Sequence, residues 1–518
     1  MRLIVSFGVA SALVLGALVA CSSGEEGGAA PPGAVADAGG GGGGDAAASD
    51  APSGEGGPGA GDVRFFESGT RVKVQSFRVD EGEYFRTFID TDLGEPCTLR
   101  VIGDGATAVC LPATASIAYS DPSCTTLVGK VSGEPAGYAI GPTETDACGI
   151  AKDITLYPIG AAIDTALIYV RDGADCLEQL ADGGTVRALG APLTVASGGI
   201  ASFVAKREPA SSALERVRWV SSDGAAVVVS SPYVDVGAQR ECSATDVGAP
   251  GATGRRRCVP AKQAIHMGPA LPGAGGPFTD GTCATPAART ALAPACAAPD
   301  IVLRRRTVVP AVGCTETYFT LAEVGSQITG TYSGSPGNCT TFTPPRTTMW
   351  SLGAEVPITT FPEIEDVLVG AGRVRAKIAR SNGSTLSQVG AFDTAVDALC
   401  SPTKIGDEWF CTTTFDPSPW CGFDYADSAC TTPILLRNAC DVRPQAVVLG
   451  TDQGGGFCAG PGAAEVRPVL PAPLALTQYY VKDGEVCHGP LDVPSRAYGI
   501  GDATPPASVF SKVTFAIE

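Results

Sequence analysis

A threefold cysteine repeat constrains this chain more than any other feature. Cys97, Cys242 and Cys400 each follow an Asp by seven residues, at Asp90, Asp235 and Asp393. Each Asp closes an aromatic segment: Phe88-Ile89-Asp90, Tyr233-Val234-Asp235 and Phe392-Asp393. Upstream stands Arg-Val-Lys/Arg, beginning at Arg71, Arg216 and Arg373, with Arg-to-Cys separations of 26, 26 and 27. A second Cys follows at Cys110, Cys258 and Cys411. An aromatic-x-Asp-x-x-Cys motif then runs from Tyr119 to Cys124, Phe278 to Cys283 and Tyr425 to Cys430. A fourth Cys sits at Cys148, Cys296 and Cys440. The last shared Cys lies seven residues after a Tyr, as Tyr169/Cys176, Tyr332/Cys339 and Tyr480/Cys487. Matched offsets of this kind define a unit of about 150 residues, and like units fold alike.

Within a unit, short runs are β-branched, aromatic or alternating in polarity. Val72–Val79, Tyr84–Ile89, Ala166–Val170, Val227–Val229, Val308–Val312 and Gln478–Val481 are examples. Asp172-Gly173, Asp223-Gly224, Asn382-Gly383 and Asp483-Gly484 separate or end them, which is a strand-and-hairpin pattern. The chain also carries 66 Gly and 40 Pro, both poor helix residues. The expected class is all-β, with repeats over 63–212, 213–370 and 371–518. Two four-stranded blades per unit would make a six-bladed, propeller-like ring. Three tandem β-sandwich-like domains are the alternative.

The N-terminus reads as an export signal: Met1-Arg2, then an apolar run from Leu3 to Ala20. Leu18-Val19-Ala20-Cys21 resembles the bacterial lipobox. That resemblance implies removal of residues 1–20 and a diacylglycerol on Cys21. Membrane attachment through that lipid is expected, since more than one acyl chain anchors stably. Ser22 rather than Asp at the next position favours the outer membrane or cell surface. Residues 22–62 are rich in Gly, Ala, Ser and Pro, have no Lys or Arg, and read as a flexible tether.

With Cys21 lipidated, 18 of the 19 Cys remain, an even number that suits disulfides in an oxidising compartment. Repeat position suggests Cys97–Cys110, Cys242–Cys258 and Cys400–Cys411 across hairpins. It suggests Cys124–Cys148, Cys283–Cys296 and Cys430–Cys440 next. Cys314 could then bridge Cys339, and Cys458 could bridge Cys487. That leaves Cys176 and Cys421 to pair with each other, unless the local pairings are shuffled. A Cys176–Cys421 bridge would disfavour the ring.

Chemistry is sparse. The formal net charge of −18 disfavours nucleic acid as a partner. No Gly-x-Ser-x-Gly elbow, His-Glu-x-x-His or Walker lysine motif is present, and no catalytic, metal or cofactor site is read. His266 and His488 fall outside the matched positions. Asp90-Thr91-Asp92 superficially resembles the start of a calcium loop but lacks the remaining ligands. Asp121, Asp280 and Asp427 recur in every unit and read as scaffold. Arg255-Arg256-Arg257 and Arg304-Arg305-Arg306 lie only in unit two and could hold anionic glycan or lipid phosphate, or be solvated. Trp219, Trp350, Trp409 and Trp420 could stack on sugars, or be buried.

The lipobox, the Gly/Ala tether and the aromatic-x-Asp-x-x-Cys repeats together resemble uncharacterised Cys-rich repeat lipoproteins of myxobacteria-like Gram-negative bacteria. The likeness covers 63–518 and implies a compartment but no activity. The expectation is an anchored extracytoplasmic lipoprotein displaying a β scaffold for an envelope protein or glycan, with no catalysis evident. Insertions around 246–278 and 412–424 would carry contacts. The alternatives are a secreted hydrolase acting on envelope or prey glycans, and a structural surface-coat protein.

Overall fold

The computed structural model describes residues 64–517 except 104, 132–135, 146–150, 173–174, 182–183, 250–251, 253, 267–276, 291–297, 309–315, 336–337, 343–347, 414–423, 438–445, 450–464, 484–485 and 494–495. The class is all-β: forty strands and two single-turn 3-10 helices make up the regular structure of these residues. Cys21 and the tether lie outside them.

Each unit opens with four antiparallel strands in chain order. In unit one they are Val72–Val79, Gly82–Asp90, Glu95–Ile102 and Thr107–Pro112. In unit two they are Leu214–Ser221, Ala226–Asp235, Arg240–Asp246 and Arg256–Pro260. In unit three they are Val374–Ser381, Ser384–Asp393, Ala398–Ile405 and Glu408–Thr413. The first strand shows why the sequence folds so. Val72 and Val74 are fully buried while Lys73 and Gln75 are not, the period-2 pattern of a strand covered on one face.

A connector then ties each meander to the next. Strand Ser202–Pro209 pairs with Thr107–Pro112 behind it and Leu214–Ser221 ahead. In the second junction the Cys258 N–H donates to the Pro362 carbonyl at 2.9 Å, and Glu365–Val369 pairs with Val374–Ser381. In the third, Ser511–Lys512 pairs with Glu408–Thr413, and Thr514–Ile517 pairs with Val72–Val79 of unit one. The three meanders therefore form a closed circuit.

Each junction encloses its own core, and the cores correspond. Cys97 and Cys110 pack with Phe203, Val217 and Trp219. Cys242 and Cys258 pack with Ile364, Ala379 and Leu386. Cys400 and Cys411 pack with Val513, Phe77, Val79 and Tyr84. A hairpin disulfide of one unit thus sits against the first two strands of its neighbour each time.

The all-β, disulfide-rich class read in the sequence is what the structure shows, and its meanders are joined in a circuit. Propeller blades pack face to face, whereas these meanders hydrogen-bond through their connectors. Each unit contributes one four-stranded meander, and the second half of the unit is built otherwise. In unit two that half is a closed five-stranded barrel, from Gln263–His266, Ala287–Thr290, Thr348–Val356, Glu316–Ile328 and Ile301–Val308. Backbone pairing crosses every unit boundary.

Six disulfides join described residues. Three close meander hairpins: Cys97–Cys110, Cys242–Cys258 and Cys400–Cys411. The other three correct the expected pairing: Cys124 bonds Cys176, Cys283 bonds Cys339 and Cys430 bonds Cys487. They span 52, 56 and 57 residues, so Cys148, Cys296 and Cys440 are not their partners. Nor can Cys176 bridge Cys421, Cys314 bridge Cys339, or Cys458 bridge Cys487. The physical reason is sheet pairing. Tyr169 lies opposite Tyr119, and Tyr480 opposite Tyr425, which carries the hairpin bearing the last Cys onto the turn bearing Cys124 or Cys430. Cys148, Cys296, Cys314, Cys421, Cys440 and Cys458 lie outside the described residues.

Candidate functional site

Most of the residues singled out by the sequence serve the scaffold. Asp90 accepts two hydrogen bonds from Arg71, from Nε and Nη2, both at 2.8 Å, and Asp92 adds an ion pair at 3.1 Å. The acid pair that looked like a calcium loop therefore holds a guanidinium. Asp393 binds Arg373 in the same bidentate way, at 2.8 and 2.7 Å. Unit two departs from this. Val72 lies opposite Asp90 and Val374 opposite Asp393, but Leu214 lies opposite Asp235. The residue before Leu214 is Ala213, so Arg216 is not the counterpart of Arg71 and Arg373. It pairs with Glu208 at 2.9 Å, and Asp235 accepts the N–H groups of Gly237 and Ala238.

Asp121, Asp280 and Asp427 organise exposed turns. The Ser123 hydroxyl and then the Thr126 N–H hold the Asp121 carboxyl below the usual carboxylate range. The Thr282 hydroxyl and the Thr285 N–H do the same for Asp280. For Asp427 desolvation pushes upward, but bonds from Thr432 and Thr431 outweigh it and bring the value to about 2. The Cys three residues on adopts a left-handed backbone in all three turns, with φ of 51°, 55° and 50°.

Arg256 binds Asp366, which also takes Lys377 at 3.0 Å, and Arg257 binds Glu363 at 3.3 Å. Both acids lie in the connector at the end of unit two, and Lys377 of unit three shares Asp366, so this cluster fastens the connector to both meanders. His488 is exposed on strand Val486–Asp492. Trp219 is buried, Trp409 packs edge-on against Phe515, and Trp420 lies outside the described residues. Among the described residues, no group of three His, Cys, Asp or Glu is placed to hold a metal. No described helix is long and apolar enough to cross a membrane.

The remaining basic cluster is different. On strand Ile301–Val308, Ile301 and Leu303 face the core with Val247, Val259 and Phe361. Val302 faces the barrel interior with Ala264, Ala288 and Ala322. Side chains alternate along a strand, so Arg304 and Arg306 share the interior-facing side of Val302, and Arg305 takes the other. His266 lies beside Arg304 in the parallel pair, two residues past Ala264. Thr320 is opposite Arg304, Tyr318 opposite Arg306, and Glu355 opposite Ala322. One end of the barrel thus gathers His266, Arg304, Arg306, Tyr318, Thr320 and Glu355. A depression of about 460 Å³ adjoins it, lined by Tyr318, Thr320 and Glu355 together with Gly248, Ile358 and Thr359.

The electrostatics of this mouth are uneven. His266 is buried, and its Nδ1–H donates to the Ala287 carbonyl at 2.8 Å, which fixes the neutral tautomer. Burial, with Arg304 and Arg306 nearby, holds its pKa below the ordinary histidine value. Arg306 donates to the Thr320 hydroxyl at 3.4 Å and reaches Glu355 at 3.9 Å. Arg304 has no hydrogen bond or ion pair among the described residues. Burial and Arg306 lower its pKa, yet a guanidinium stays protonated. Two cations therefore face one acid. The Trp350 Nε1 of this barrel is also buried without a partner among the described residues.

The sequence pointed to Arg304–Arg306 and to His266 separately, and missed Thr320, Tyr318 and Glu355. A strand period through Ile301–Val308 was the available signal that only alternate arginines share a face.

No curated protein and no solved structure matches this chain. A family model does match, over residues 57–454, more than half of the sequence. The chain belongs to that family, DUF7481, a family of unknown function.

Proposed function

We propose that this is a lipid-anchored envelope protein that displays a disulfide-stapled β circuit for ligand binding. The observation that carries the reading is the assignment of repeated residues to architecture. Hairpin disulfides, Arg–Asp pairs and turn-capping Asp residues recur to build the scaffold, while the charges at the unit-two barrel mouth do not recur. Six disulfides suit an oxidising, extracytoplasmic compartment. The lipobox-like Leu18-Val19-Ala20-Cys21 and the Gly-rich 22–62 tract support an anchor with a tether. Its r.m.s. span is on the order of 35 Å for a flexible chain of that length.

Two experiments test the proposal. Cys21→Ser should release the protein from the membrane fraction, and unchanged fractionation would overturn the anchor. Oxidised full chain used as bait on native envelope fractions should retain an envelope component that reduced bait does not. Equal recovery by both baits would overturn the display role.

One observation favours the surface-coat reading as a second possibility. Strand Asp175–Leu180 is a sheet edge with Leu177 and Leu180 exposed, and Val486–Asp492 is a corresponding edge with Val486 and Leu491 exposed. Such edges can pair with another chain. Sedimentation of the purified protein over a concentration series decides this, and a strict monomer would exclude self-assembly.

A further inference from the structure

We infer that the barrel mouth of unit two binds an anionic ligand group, a carboxylate or a phosphate, on Arg304 and Arg306. This deepens the display reading, on which the nature of the full ligand rests. Three observations combine. Arg304 is half-buried with no hydrogen bond or close ion pair among the described residues, and the acid that acts on it there, Glu355, is shared with Arg306. Arg306 stands two residues along the same face, and among the described residues the carboxylate that reaches it, Glu355, does so at 3.9 Å from an exposed position. Tyr318, Thr320 and Glu355 of the mouth also line a neighbouring depression of about 460 Å³, although neither arginine does.

The repeat supplies an internal control. In unit one the corresponding parallel pair sets Thr114 beside Tyr138 and Ala115 beside Ala139. Counting along those strands, Ile117 and Gly141 occupy the places of His266 and Arg304. In unit three, Val448 lies opposite Val466 as Leu303 lies opposite Leu321, so Leu449 takes the place of Arg304. The fold thus accommodates Gly or Leu there, and neither scaffold nor closure requires the charge. Neutral His266 completes the mouth without adding a second acid. A guanidinium fork suits planar carboxylate or tetrahedral phosphate equally, so the chemistry is shared while the source is open.

The test is calorimetric titration of the full oxidised chain with three probes: oligogalacturonate, inorganic phosphate and a neutral oligoglucose. At least one anionic probe should bind, more weakly as salt rises, and the neutral one should not. Oligogalacturonate alone identifies a carboxylate source, and phosphate alone a phosphate source. Arg304→Leu should weaken binding about tenfold or more, the scale of one charge-assisted hydrogen bond. Arg305→Gln, on the opposite face, should stay within about twofold. Arg306→Gln provides a second reading should Arg304→Leu fail to fold. Binding of neither anion, equal binding of the neutral sugar, or undiminished binding by both variants overturns the site. Should Arg304→Leu still capture the envelope component with full yield, the anion site fails while the display role stands.

Discussion

The carboxylate of Asp80 accepts the backbone N–H of Val374 at 2.7 Å, across 294 residues of sequence. Asp80 is the tip of the first hairpin of unit one, and Val374 begins the first strand of unit three. Asp223, at the tip of the unit-two hairpin, does the same for unit one, accepting the N–H groups of Arg71 and Val72 at 2.7 and 2.8 Å. In unit three Asn382 occupies the tip and donates to the Ser212 hydroxyl at 3.3 Å, just before unit two begins. Each meander therefore holds the start of its neighbour, and the holds run once around the circuit. Asp80→Ala and Asp223→Ala should each destabilise by about 1–3 kcal/mol through unpaired backbone donors. Denaturant unfolding measures both, and a change under a few tenths of a kcal/mol would show that the tips do not hold the circuit.

The long-range disulfides lead to a mapping prediction. Proteolysis without reduction should yield peptides joining Cys124 to Cys176, Cys283 to Cys339 and Cys430 to Cys487. Replacing Cys124 and Cys176 together by Ala should cost about 2–5 kcal/mol, as for a native bridge. A peptide joining Cys124 to Cys148 instead would refute the pairing of this second half.

Buried tyrosines set an alkaline limit. Tyr233 is fully buried, and its hydroxyl shares a 2.6 Å hydrogen bond with Ser387 of unit three. Burial pushes its pKa up to about 12, and burial does the same for Tyr84. A folded-state pKa above the unfolded value, near 10, means stability is complete below about pH 10 and falls as pH rises toward 12. Tyr233→Phe should flatten that fall while lowering stability at pH 7 by about 1–3 kcal/mol, because Ser387 loses its partner. Thermal melts from pH 8 to 12 test both, and an unchanged alkaline slope in the variant would assign the loss elsewhere.

The turn carboxylates set an acid limit of opposite sign. Asp121, Asp280 and Asp427 titrate below the ordinary value, Asp427 at about 2, because Ser and Thr donors hold the ionised form. A depressed folded-state pKa contributes stability above about pH 4, and that contribution is lost as pH falls through the folded value. Asp427→Asn should weaken the acid dependence of melting between pH 4 and 2. Parallel melting curves for variant and parent across that range would contradict this.

Much of the local structure was legible. Val72–Val79 is both the alternating run read in the sequence and the strand observed. Runs such as Tyr84–Ile89 fall within longer strands, here Gly82–Asp90, because hairpin partners extend pairing through the polar turn flanks. Arg216 shows the limit of motif matching. The letters Arg-Val-Arg repeat the pattern, but the pairing register places Ala213 at the equivalent position. Register is set by which residues bury against the neighbouring unit, not by the motif alone. The two arginine triplets looked alike, yet Arg256 and Arg257 form ion pairs with acids of the second junction, whereas Arg304 makes no hydrogen bond or ion pair among the described residues. Only the fold brings those acids close.

By itself the sequence determined an all-β, disulfide-rich chain of three like units, because strand periodicity, turn residues and hairpin Cys spacing act over a few to some fifteen residues. Tertiary structure decided which distant Cys meet, that Thr514–Ile517 returns to Val72–Val79, and that His266, Arg304 and Arg306 share one barrel mouth. Those outcomes depend on contacts between segments from some forty to more than four hundred residues apart. Chain proximity cannot specify such contacts, and burial of the inter-unit cores selects them.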